Sequence, residues 1–187
     1  MNKVKDFCNY IRQRSNEHKM AIQRTTDLPG IMASIIRQEL DSMVRVIYLL
    51  SISDPYEKKR LIKQTIDGNK WTIETQKGKE RQITDREMVE LANHLQGWTK
   101  SVYKFGCAFI HLSNSHAYNN KNPFESLSNT EKKDILSHMR HYHGGPSTDY
   151  RSFEELATYF PMLFDKIASN LECHLKELEG NQALEIV

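Results

Sequence analysis

Lys104 and His111 stand seven residues apart in the stretch KFGCAFIH. On a helix that interval is close to two turns. Both side chains then return to nearly the same angle, roughly 10 Å apart along the axis at 1.5 Å per residue. An ammonium and an imidazole so placed suit phosphate chemistry, because the cation holds the anion and a group titrating near neutrality moves a proton. Gly97, Ser101, Lys104, Ala108, His111 and Ser115 form a narrow stripe of small and polar residues. It runs beside an apolar face of Leu91, Leu95, Trp98, Phe105, Phe109 and Leu112. The stripe can floor a cleft, or it can be a seam where another helix approaches closely and His111 is hydrogen-bonded inside a bundle. Both readings fit the spacing.

A second cluster lies in HMRHYHGGP, with His138, Arg140, His141 and His143. Histidine pairs bind zinc when Cys, Asp or Glu stands at workable spacing. None does so locally, HExxH is absent, and no metal or cofactor is expected. Histidines at the end of a helix are favoured by its dipole, which gives them a plainer role. Arg140 and His143 are the members that can line a phosphate site. His116 joins such a site only if the helix has ended by Ser115. Tyr118, in the Asn-rich segment AYNNKNPFESL, can stack on a base, although a loop tyrosine more commonly packs. Cys107 sits about 80° from the polar stripe with apolar neighbours, the setting of a buried, inert thiol. No Gly-rich phosphate loop, GxSxG elbow or dinucleotide fingerprint occurs.

These residues need rigid elements to hold them. The 187 residues, 39% hydrophobic and 27% charged with net charge +2, suit a single globular domain, and the near-neutral balance argues against a wholly basic nucleic-acid binder. No apolar run reaches the roughly 18 residues of a membrane span, and the polar N-terminus does not read as a signal peptide. A cytoplasmic location is therefore expected. Cys8, Cys107 and Cys173 are too few and too scattered for a disulfide framework. Helical periodicity marks about 4–24 and 31–50, and Asp54 followed by Pro55 starts another helix to about 66. On the second of these, Arg37, Asp41 and Arg45 form an i,i+4 ladder expected to be solvated or paired. Three S/T-x-x-E capping boxes open further helices at Thr84, Ser128 and Ser152. The first is expected to be one long helix over about 84–115. The last runs to about 179 with a kink or break near Phe160, forced by Pro161. Residues 68–83 change character, with Trp71, Ile73 and Thr75 alternating towards a small hairpin or a loop. The sum is an all-α bundle of five or six helices, one domain, with a frayed tail from about 181.

A helical bundle carrying a basic residue, a short gap and a histidine resembles the HEPN superfamily, whose members include metal-independent ribonucleases of toxin and phage-defence systems. Their signature is Arg-x(4–6)-His on a helix, and the matching stretch here is Lys104-FGCAFI-His111. The resemblance extends over the layout from about residue 31 to 179. It implies a homodimer that pools the two motifs in one cleft and cleaves RNA through its own 2′-hydroxyl. His111 would then be general acid or base, and Lys104 would offset charge on the phosphorane. Lys stands where the family has Arg, a point charge in place of a planar fork, which weakens the grip on two phosphate oxygens. Arg140 is the candidate to replace that fork. The other expectation keeps the bundle and makes it a non-catalytic module for dimerisation or for a protein partner.

Overall fold

Proline, glycine and short polar side chains set the element boundaries. The structure, a computed structural model, describes residues 3–75, 78–111, 118, 122–149 and 152–180. In chain order these form α1 (Lys3–Arg24), α2 (Pro29–Ser51), α3 (Pro55–Ile66), β1 (Thr72–Glu74), β2 (Glu80–Gln82), α4 (Asp85–Gln96) and α5 (Thr99–Ile110). A 3₁₀ turn (Pro123–Ser126), α6 (Asn129–His143), α7 (Phe153–Ala157) and α8 (Phe160–Glu179) follow. The fold is all-α, as expected. Among the described residues the one sheet is an antiparallel hairpin in which Thr72, Ile73 and Glu74 pair with Gln82, Arg81 and Glu80. Gly78, at φ 71°, takes the left-handed conformation that the hairpin end requires.

All three capping boxes form in full. Thr84, Ser128 and Ser152 accept from the backbone N–H of Glu87, Glu131 and Glu155, and each glutamate reaches back to the cap backbone. Asp54 caps α3 through the Tyr56 N–H, with Pro55 in the first turn. Pro161 lies in the first turn of α8, so the break expected near Phe160 separates α7 from α8.

The long helix expected over about 84–115 is instead two helices. Gly97 ends α4 at φ 74°, a conformation that costs a residue without Cβ little, and Trp98 is buried at the corner. The Asn93 side-chain oxygen accepts from the Lys100 N–H at 3.2 Å and so caps the start of α5, which Trp98 cannot do. This break and the one at Phe160 raise the count to eight helices among the described residues. Ser115, His116 and the tail from 181 lie outside them.

α2 is the axis of the bundle, in contact with α1, α4, α5, α7 and α8. Leu40, Met43, Ile47 and Leu50 are buried on it as the periodicity required, each contributing about 1.5–3 kcal/mol. The Arg37–Asp41–Arg45 ladder is a paired face. Arg37 is 6% exposed, with its guanidinium 3.5 Å from the centre of the Tyr103 ring and its Nε donating to Cys107 Sγ at 3.4 Å. Arg45 joins Asp41 and Asp85 at 3.1 and 3.0 Å. Cys107 is thus half-buried beside a guanidinium and not enclosed by apolar groups.

Gly106 makes the α2–α5 contact possible. A Cβ there would lie 2.6 Å from Arg37 Cβ, which is too close to be met by a side-chain rotation. Gly106→Ala gains up to about 1 kcal/mol of helix propensity but overpacks the seam at a cost of about 1–3 kcal/mol. A net loss of stability is expected, read as a lower urea midpoint. An unchanged or higher midpoint would mean that the two helices separate freely.

Candidate functional site

α5 carries the two residues singled out by spacing. His111 is its C-cap residue, with extended backbone (φ −96°, ψ 143°) and its N–H bonded to Cys107 O at 3.2 Å. The imidazole is exposed, and among the described residues nothing hydrogen-bonds it. His111 is therefore not a core histidine. Lys104, on the outer face of the same helix, is also exposed. The stripe they were expected to share does not persist, because Gly97 belongs to the helix break and Ser101 turns towards a crevice lined by Trp98, Val102 and Phe105.

Lys104 is not alone. Its ammonium donates to Glu131 across to the first turn of α6. That contact, with the Ser128 backbone and hydroxyl bonds of the capping box behind it, holds the Glu131 carboxyl at about 2. Glu131 is thus ionised throughout the neutral range, and the Lys104 charge is already partly offset. The lysine side chain is 68% exposed, so the pair adds little to stability. Its consequence is electrostatic. An incoming phosphate must compete with a carboxylate.

α6 runs back along α5. Its start meets Lys104 through Glu131, whereas His138 and Tyr142 share the crevice with Trp98 and Ser101 from the start of α5. Arg140 is therefore carried towards the far end of α5 from His111. It is also committed, with Nε donating to Pro146 O at 2.6 Å and a terminal nitrogen to Asp149 at 2.7 Å, so that it closes the loop after α6. The structure does not bring Arg140 to His111. His143 is the last residue of α6, and its side chain lies outside the described ones. Beside Arg140, the outer face of α6 presents Lys132, Lys133 and His141 around an open groove.

Tyr118 packs. Its ring lies 5.2 Å from Phe153 and 6.4 Å from Phe109, and a Cβ on Gly30 would meet it at 2.8 Å. This is the packing expected of a loop tyrosine, and the aromatic cluster supplies its partner. Among the described residues no three His, Cys, Asp or Glu side chains gather where they could hold a metal ion.

Two features escaped the sequence reading. Glu131 was visible as a capping-box residue, but its partner is 27 positions away and depends on how α6 returns. Glu39 is the other. Its side chain is fully buried, accepts from Ser15 Oγ and lies 2.7 Å from His18 Nδ1. Ser15 and His18 stand i,i+3 on α1, a signal that could have been read as a polar pair facing a partner. At the end of the bundle where α2 begins and α5 ends, Leu28, Ile31 and Ile110 are exposed apolar residues. No protein family, curated protein or solved structure matches the chain.

Proposed function

We propose that the chain is a HEPN-like helical protein that acts on RNA as a homodimer without a metal, with His111 as the proton-transfer group and Lys104 as the cation that meets the phosphate. The observation that supports this most is the exposed imidazole at the end of α5, on a rigid element and outside the core. The exposed Leu28, Ile31 and Ile110 at that end offer an apolar contact for a second copy, which would bring two His111 side chains together. Cleavage of a mixed-sequence RNA in EDTA by wild type, His111→Ala and Lys104→Ala, with oligomeric state read by light scattering, tests it.

The pairing of Lys104 with Glu131 favours a second reading, in which the same surface binds a partner and does no chemistry. Glu131→Gln separates the two. Glutamine keeps the capping role while removing the charge that competes for Lys104. If Lys104 contacts phosphate, this variant is expected to bind single-stranded RNA up to about tenfold more tightly, as a charge-assisted contact is released for the ligand. The plot of log affinity against log salt should then steepen by about 0.7. Unchanged affinity and slope in an anisotropy titration would place RNA elsewhere or nowhere.

A further inference from the structure

The outer face of α6 gathers cations. Lys132, Lys133 and Arg140, with the imidazole of His141, line one groove of about 750 Å³ along the helix. Lys133 and Arg140 stand seven residues apart, so they share an angle on α6 and lie roughly 10 Å apart along its axis. Lys132 flanks them. The buried Leu136 lies at the floor, and Ser137 adds a hydroxyl.

The charge of this groove is largely unmet. Of the two acids of α6, Glu131 is turned to Lys104 and Asp134 does not line the groove. Asp149 does line it, but Arg140 already holds it at 2.7 Å. Arg140 spends Nε and one terminal nitrogen on the loop and keeps Nη1 without a partner among the described residues. Among those residues no carboxylate pairs with Lys132 or Lys133, in contrast to Lys104.

The groove is open along the helix. That shape suits an extended chain, whereas a compact ligand binds by burying most of its surface. An aromatic pair stands at the end that Arg140 occupies. Tyr142 is 48% exposed, and its ring meets that of His141 edge to face at 4.6 Å. Cations that follow a backbone, beside an aromatic face on which a base stacks, are the two parts of a single-strand site. An acidic peptide would use the first part and not the second.

We propose that this groove binds single-stranded nucleic acid, with Lys132, Lys133 and Arg140 on the phosphates and a base stacked on Tyr142. Neither contact reads the 2′-hydroxyl, so RNA and DNA bind alike. The surface is separate from His111 and needs neither cleavage nor a second copy.

The test is the anisotropy of labelled oligo-U and oligo-dT, each about 12 nucleotides long, titrated with the full chain over a salt series. Wild type is expected to bind both saturably and with similar affinity. Lys132→Ala with Lys133→Ala should weaken both about tenfold or more. The slope of log affinity against log salt should fall by about 1.4, the value for two phosphates of a single strand. Tyr142→Leu should weaken both about five- to a hundredfold and leave that slope unchanged. If Tyr142→Leu fails to fold by circular dichroism, the lysine pair still decides. No saturable binding of either strand, a double-lysine variant that binds as wild type, or a clear preference for oligo-U would overturn the proposal. Displacement of the strands by poly-glutamate at equal charge would overturn it as well. Strand binding without cleavage would leave the groove standing and remove the catalytic reading; cleavage indifferent to the lysine pair would do the reverse.

Discussion

Replacing His111 with alanine is expected to lower RNA cleavage in EDTA by about 10²–10⁴-fold, the usual contribution of a positioned general acid or base. The fold should not register the change. His111 is exposed and follows the last residue of α5, so its removal leaves no hole in the core. Surface substitutions of this kind alter stability by about 0.5 kcal/mol or less. An unchanged thermal midpoint with lost cleavage would assign the effect to chemistry. Lys104→Ala should act in the same direction but more weakly, because Glu131 already offsets part of that charge. Two results would sink the catalytic reading: a His111→Ala protein that cleaves like wild type, or a wild type that neither cleaves nor binds a range of RNAs. A stable dimer with neither activity would be the partner-binding module.

What the sequence made legible was mostly what is local. A capping box is written within four residues, so Thr84, Ser128 and Ser152 marked their helix starts correctly. Pro161 carries its own reason for a break, and so does the left-handed Gly144 after α6. Gly97 misled because it continued the periodicity of the helix while also being its stop, and the wheel angles drawn through it no longer applied beyond α5. The environment of each site residue was the less legible part, since it depends on return paths of the chain. Lys104 meets a glutamate from α6. Arg140 is carried away from His111 by the antiparallel run of the same helix. The exposure of His111 follows from where α5 ends, which a helix assumed to reach 115 could not indicate.

The buried Glu39 is a still longer-range feature, and its removal is the largest stability effect expected. Its carboxylate, fully enclosed in the central helix, is tolerated because Ser15 donates to one oxygen and His18 Nδ1 lies 2.7 Å from the other. Arg14 extends the contact by donating to Ser42 at 3.1 Å, so a polar seam joins α1 to α2 within an otherwise apolar interface. Glu39→Ala leaves a serine and a histidine facing a void. The combined loss of a buried partner and of side-chain volume is expected to cost about 3–5 kcal/mol. At roughly 2–4 °C per kcal/mol for a chain of this size, the melting temperature should fall by about 6–20 °C. Glu39→Gln keeps the volume and an acceptor for Ser15, and His18 can answer its amide as the tautomer with Nδ1 unprotonated. That variant should lose less, about 1–3 kcal/mol. A cycle with His18→Ala should be non-additive by about 0.5–3 kcal/mol, since the two side chains share one contact. Strict additivity, or a Glu39→Ala protein as stable as wild type, would show that the apolar packing of α1 on α2 holds the helices without this seam.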